Sequence, residues 1–311
     1  MDGPLRTERM QKLTGSGILV VHKPEGISSA GVVSLVKRKL GADKVGHCGT
    51  LDPFASGALV CCINQATRIS RFFLHEDKSY EAVMRLGVET DTQDVTGKTV
   101  ATAPVAVTEE AIRSACNGMV GLMRQQPPVY SALKHEGVPL YRLARSGRPM
   151  QKPAREIVIH RLDVLTVDLP DVHFAVTCSG GTYVRTLAAD LGRVLGCGAH
   201  LRRLVRTASG RFTLAQAVSL EEVPSLGRPV SEGGRMIGMS EALSFMPKQT
   251  VGPQTVEKIR HGMPLRESDI RNPVPKENSG CFRVVDPDDR LIAILGFKKE
   301  NPGYNYCCVF N

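Results

Sequence analysis

The chain has 311 residues, an apolar fraction of 42%, a formal charge of +9 and a pI near 9.2. That length predicts a main domain with something smaller attached, and the apolar content suffices for a folded core. No apolar run is long enough to cross a bilayer, and the polar start MDGPLRTERMQKLTG lacks the hydrophobic segment of a secretory signal, so a cytoplasmic protein without a membrane partner is expected.

Gly17–His22 (GILVVH) reads as a buried strand, followed by a turn at Lys23-Pro24-Glu25-Gly26. Ser28–Leu40 sets Val32, Val33, Leu35, Val36 and Leu40 at helical spacing behind a serine cap. Val45–Ser56, dense in Gly, Pro and Asp, is expected to be a loop, with a strand at Ala58–Ile63. Ala66–His75 is predicted as a helix with Ile69, Phe72 and Phe73 inward. Tyr80–Leu86 alternates as a half-buried strand, Glu89–Gly97 is an acidic loop, and Thr108–Cys116 is a short helix capped by Thr108. Glu156–Val167 and Val172–Cys178 form an expected hairpin about Leu169-Pro170-Asp171. Ser179-Gly180-Gly181 then ends the strand, and Thr182–Leu195 is a helix stopped by Gly196.

Val223–Arg235 is rich in Gly, Pro and Ser and reads as a linker or surface loop. Beyond Met246 the pattern changes to short strands at Phe282–Asp286, Arg290–Phe297 and Tyr304–Phe310. Regular βαβ alternation is missing, so the expected class is α+β with a mixed, largely antiparallel sheet and flanking helices. The expected domains are 1–246 and a small β-rich module at 247–311, the latter near the lower size that folds alone.

The nine cysteines are an odd number and contain no C-x-x-C, so buried free thiols are expected and no metal. Cys61–Cys62 and Cys307–Cys308 lie in strand-like runs, where neighbours point to opposite faces. The positive charge is clustered. Lys37, Arg38 and Lys39 form one group; Arg142, Arg145, Arg148, Lys152 and Arg155 a second, with no acid between Leu140 and Arg155; Arg202, Arg203, Arg206 and Arg211 a third. Such groups suit a phosphate backbone but do not say which nucleic acid.

The segment from Lys44 to Pro53 sets Asp52 directly before a proline, which favours an extended aspartate. An Asp-Pro pair by itself is most often a turn. Here K-V-G-H-C-G-T-L-D-P-F-A-S-G at 44–57 resembles the active-site signature of the TruB family of tRNA pseudouridine synthases. H-K-P-E-G-I-S-S at 22–29, D-K-S-Y-E at 77–81 and L-G-V-E-T-D-T-Q-D at 86–94 resemble further motifs of that family. So do P-P-V-Y-S-A-L-K at 127–134, C-S-G-G-T-Y-V-R-T-L at 178–187 and L-G-C-G-A-H-L-R-R-L-V-R at 195–206. The departures are Cys48 for Thr or Gly, Phe54 for Leu, and Val60-Cys61-Cys62-Ile63-Asn64 where the family has a proline and a glycine.

The resemblance implies a cofactor-free isomerisation of the T-loop uridine (position 55) of tRNA. The glycosidic bond breaks, the uracil turns, and ring carbon 5 joins the sugar. It assigns Asp52 as the catalytic carboxylate and Arg185 as its cation, in keeping with the rule that a buried carboxylate needs a fixed positive partner. It assigns Tyr80 to stacking on the base, Tyr183 to proton transfer near the sugar, Leu204 to the uracil pocket, and His47 to the space left by the extruded base. Tyr141–Arg155 resembles the insertion that grips the T-stem loop, which gives Arg142, Arg145, Arg148 and Lys152 RNA contacts; Arg202 and Arg203 are expected to add to them. The C-terminal module resembles a PUA-type domain that meets the acceptor end of tRNA. No metal and no obligate protein partner is implied. Three other readings compete: a non-catalytic RNA-binding or tRNA-folding protein, a guide-RNA-dependent rRNA pseudouridine synthase, and a hydrolytic glycosidase. The last usually needs two carboxylates, and Asp52 has no second acid in its motif.

Overall fold

The computed structural model describes residues 13–223, 235–270, 280–297 and 303–310; the polar start through residue 12 and the Gly/Pro/Ser-rich stretch at 224–234 lie outside them. The chain begins with β1 (Gly17–Lys23), α1 (Ser29–Leu40), β2 (Val45–His47), β3 (Ser56–Ile63), β4 (Lys78–Leu86), β5 (Val88–Thr90), β6 (Thr99–Thr102), α2 (Glu109–Gly118) and β7 (Gly121–Gln125). It continues with β8 (Lys134–His135), β9 (Val138–Pro139), α3 (Leu140–Arg145), β10 (Arg155–Asp168), β11 (Asp171–Cys178), α4 (Val184–Val194), β12 (Ala199–Ser209), β13 (Phe212–Thr213) and α5 (Met239–Ala242). A C-terminal module holds β14 (Lys248–Thr250), α6 (Pro253–Arg260), β15 (Cys281–Val285), β16 (Leu291–Phe297) and β17 (Tyr304–Val309).

The main sheet runs β1-β3-β12-β4-β11-β10-β7 and is antiparallel except where β12 meets β3. The fold is therefore α+β with a mixed, largely antiparallel sheet, as expected from the sequence. Local signals explain its helices. Ser28 caps α1 by accepting from the Gly31 N–H, while Lys37, Arg38 and Lys39 sit in the last turn, where the helix dipole favours cations. That basic group thus has a structural use. Thr108 caps α2 in the same way.

Among the described residues, three apolar layers flank the main sheet by strand alternation, and a fourth cluster, with Ile259, Phe282, Leu295 and Tyr304, lies within the C-terminal module. Leu19, Val21, Leu59 and Cys61 face Val32 and Val36 of α1. Ile18, Val20, Val60 and Cys62 face the other way, towards Phe73, Phe212 and the C-terminal module's Ile294, Cys308 and Phe310. Cys61 and Cys62 thus point to opposite faces. On the rest of the sheet, Tyr80, Met84, Phe174 and Leu204 pack under α2 and α4 through Ile112, Leu187 and Leu191. Described residues of the C-terminal module thus share a core with the main sheet, although its strands form their own sheet, β14-β15-β16-β17.

Two expectations need correction. Ala66–His75 is not an α-helix but two 3₁₀ turns, Asn64–Arg68 and Ser70–Phe72; Ile69 and Phe73 are buried as expected, while Phe72 is half-buried. Ala199–Ser209, read as a motif and a basic cluster but given no secondary structure, is the strand that joins the two halves of the sheet. Among the described residues, no helix is long and apolar enough to cross a membrane.

Candidate active site

Asp52 stands on the connection between β2 and β3, which three buried polar side chains fasten. At the end of β1, Lys23 donates to the carbonyls of Pro24 (2.8 Å), Pro53 (3.2 Å) and Ala55 (2.6 Å). Ser29, opening α1, accepts from Leu51 N (2.8 Å) and donates to Leu51 O (2.9 Å). From β12, Arg206 donates to Ala58 O (2.8 Å), Gly49 O (3.1 Å) and Thr50 O (3.4 Å). All three are at most 2% exposed. Their carbonyl partners lie on or beside the loop; where such a carbonyl is buried, as at Leu51 and Ala55, leaving it unpaired would cost about 1–3 kcal/mol. Gly57 completes the arrangement: its φ of 111° and the approach of Arg206 leave no room for a Cβ.

The cation opposite Asp52 comes from the first turn of α4. Arg185 is 3% exposed, and its Nε lies 2.8 Å from Asp52 Oδ2, a charge contact rather than an aligned hydrogen bond. Nη1 donates to Thr92 O (2.6 Å) and lies 3.5 Å from Asp94 Oδ2, while Nη2 donates to Tyr130 O (2.8 Å). Asp94 is itself buried and accepts from Thr92 Oγ1 (2.8 Å), Thr96 N (2.9 Å) and Thr96 Oγ1 (2.5 Å). A buried ion pair holds when other donors find partners; here Nη1 and Nη2 each donate to a backbone carbonyl, while Nε is left to its charge contact with Asp52. Because two carboxylates share one guanidinium, Asp52 is not fully engaged, and its side chain keeps 34% exposure.

These groups line a cavity of about 300 Å³. Tyr80, Leu133, Val184 and Leu204 give it apolar walls, and Tyr183 stands at the start of α4. Asp52 is the one acid among the lining residues, against Lys78, Arg155, Arg185 and Arg206. The Arg155 guanidinium lies over the Tyr183 ring, 5.1 Å from its centroid. Lys78 donates to the carbonyls of Leu74 (2.8 Å) and Glu76. Burial lowers the pKa of Lys78, with Arg206 adding to the effect. Burial also lowers Lys23, to about 8, although Asp52 pulls it upward. The Tyr80 phenol is pushed up by burial against the opposing Arg206 charge.

The fold brings Asp52, Tyr80, Tyr183, Arg185 and Leu204 to one cavity. His47 is not among the lining residues. It sits half-buried in β2, with Nδ1 buried and unpartnered, and burial followed by the Arg206 charge lowers its pKa. Arg142, Arg145 and Arg148 are exposed on and after α3, in an insertion whose root at Ala132 and Leu133 lines the cavity. Lys152, at its far end, lies 3.4 Å from His135 Nδ1. Arg202 and Arg203 are not brought to this site. The register pairs Arg203 with Val83 and Leu204 with Ala82, so Arg203 leaves the sheet on the face opposite Leu204. Arg202 pairs with Asp171, which Arg85 also holds. Arg206, from the same basic cluster, is buried in the loop clamp. Asp94, Lys23 and Lys78 received no role from the sequence and Arg206 was read only as part of a phosphate-binding group, although all four stand in the motifs quoted above. Among the described residues, no three His, Cys, Asp or Glu side chains are grouped to hold a metal ion.

Comparison with known proteins agrees with this geometry. Residues 37–184 match the family model for the TruB family pseudouridylate synthase (N terminal domain), and residues 185–228 match that for the tRNA pseudouridylate synthase B C-terminal domain. The tRNA pseudouridine synthase B of Burkholderia mallei is 42% identical over 286 residues, 92% of either chain. That of Syntrophotalea carbinolica is 42% identical over 277 residues, 89% of this chain and 90% of the other. Among solved structures, a Cbf5-Nop10-Gar1 complex contains a chain that superposes with a TM-score of 0.72 at 26% identity, over 94% of this chain and 84% of that one. Motifs, fold and relatives coincide: the chain belongs to the TruB family of pseudouridine synthases.

Proposed function

We propose that the protein isomerises the T-loop uridine (position 55) of tRNA to pseudouridine, without a cofactor, in the cytoplasm. The observation that carries this is the Asp52–Arg185 pair on a cavity with apolar and aromatic walls, where Asp52 is the one lining acid. A pure RNA binder has no need of a buried guanidinium held by two carboxylates. A glycosidase would need a second carboxylate on the cavity. Between the enzyme readings, relatives named for tRNA stand at 42% identity, and the chain from the complex with Nop10 and Gar1 at 26%.

In this reading the uridine leaves its stack, at a cost of about a few kcal/mol. Stacking on Tyr80 offsets about 1–3 kcal/mol of that, and phosphate contacts from Arg142, Arg145, Arg148 and Lys152 supply more. Asp52 acts on the nucleoside while Arg185 holds its carboxylate in place, and Tyr183 serves proton transfer near the sugar. Leu204 bounds the uracil as it turns, and His47 takes the space the base has left. Arg202 and Arg203 are left out of the RNA surface facing the cavity. The C-terminal module, PUA-like in its position and strand content, meets the acceptor end.

The test is release of tritium from carbon 5 of uridine in an unmodified tRNA transcript. Wild-type protein should release it. Asp52→Asn should release none while still binding tRNA. Equal release by both would remove Asp52 from the chemistry.

A further inference from the structure

Gln125, the last residue of β7, does not line the cavity and has no part in the reaction as proposed, yet it is only 1% exposed. Its side-chain amide bonds both backbone polar groups of one residue, Tyr183. Nε2 donates to Tyr183 O (3.0 Å), and Oε1 accepts from Tyr183 N (2.8 Å). This is the double bond that a neighbouring strand would make, supplied by a side chain to a residue in extended conformation. Tyr183 is the residue that opens α4, and no side-chain cap serves that helix. Helix starts without caps leave N–H groups unpaired and fray. Here the amide of Gln125 fixes the entry residue instead.

The same segment grips the helix a second time. Tyr130 O accepts from Arg185 Nη2, and the buried pair Pro127-Pro128 stiffens the chain between the two grips. One short span therefore fixes the backbone of Tyr183 and the side chain of Arg185, which stands on Asp52.

We propose that Gln125 is a positioning residue of this active site. Its amide holds the first turn of α4 so that the Tyr183 ring and the Arg185 guanidinium keep their places around Asp52. The proposal rests on the roles given above to Asp52, Arg185 and Tyr183. Misplacement of reacting groups by about 1 Å costs about 100-fold in rate, so loss of this grip should register in the chemical step.

Two variants and one wild-type measurement test it. Gln125→Leu removes both bonds at similar volume. Gln125→Glu keeps the acceptor for Tyr183 N but sets an oxygen against Tyr183 O. In both, hydrogen exchange over residues 182–187 should accelerate, and the single-turnover rate should fall about 100-fold with tRNA affinity unchanged. Unchanged exchange, an unchanged rate, or a loss confined to KM would each overturn the proposal. In the wild type, the Tyr183 amide should exchange slowly despite its place at a helix start; fast exchange there refutes the brace even if neither variant folds. Should wild-type protein make no pseudouridine, the proposed function fails, and exchange still decides whether Gln125 holds the helix.

Discussion

Lys23 is a charged group with no exposed surface, and its three N–H bonds match three loop carbonyls one for one. Its pKa in the fold, about 8, lies below that of a free lysine because burial disfavours the charge. Below that value the side chain is protonated in both folded and unfolded chains, and stability does not respond to it. Between about 8 and the free value the unfolded chain binds the proton more tightly, so this group makes stability rise with pH. Activity should move the other way, since a neutral amine has two donors for three carbonyls around Asp52. The single-turnover rate should fall as pH rises through about 8, and Lys23→Arg, which keeps its charge, should flatten that limb. An identical limb in both proteins would exonerate Lys23. The pairing of Asp52 with Arg185 was legible in the sequence, because both stand in motifs. Asp94 was given no role and Arg206 was grouped with the surface cations, because their meaning lies in what the fold sets beside them: Arg185 for one, the carbonyls of Gly49 and Thr50 for the other.

At the level of elements, β12 shows how a central strand escapes notice. Its buried Leu201 and Leu204 are separated by exposed Arg202 and Arg203, and bulges after Leu201 and Arg206 break the two-residue period. A strand with interrupted alternation and four arginines nearby resembles a nucleic-acid patch. The 3₁₀ turns at 64–72 escaped for a related reason. Ala66 and Ile69 are three apart, a spacing common to both helix types. By contrast, β1, α1, α2 and the β10–β11 hairpin were readable, because caps, turns and alternation agreed. Where β3 meets β12, a Cβ on Gly57 would lie 2.3 Å from Arg206 O. Gly57→Ala should therefore destabilise the fold by about 2–3 kcal/mol in urea unfolding. An unchanged midpoint would mean that the two strands part without penalty.

For the molecule as a whole, charge and core make separate predictions. The formal charge of +9 includes Arg142, Arg145 and Arg148, exposed on the insertion beside the cavity. Replacing all three by Gln should reduce the slope of log Kd for tRNA against log salt by about 2–3, since each phosphate contact contributes about 0.7–0.9. A parallel line would show that RNA passes elsewhere. The apolar layer under β1 and β3 continues into the C-terminal module through Ile294, Cys308 and Phe310, and the Arg68 guanidinium covers the Phe310 ring. Each part also keeps an apolar cluster of its own, but separating them would expose the shared layer at Ile294, Cys308 and Phe310, so one coupled unfolding transition is expected; two resolved transitions in calorimetry would contradict that coupling.

That continuous layer ties the described C-terminal strands to the main sheet. Under the proposed function, in which the C-terminal module meets the acceptor end, Asp52 and that module would act as the fixed jaws of a calliper. A substrate whose helix was lengthened between loop and end could satisfy one jaw at a time, so the protein would measure its RNA as well as hold it.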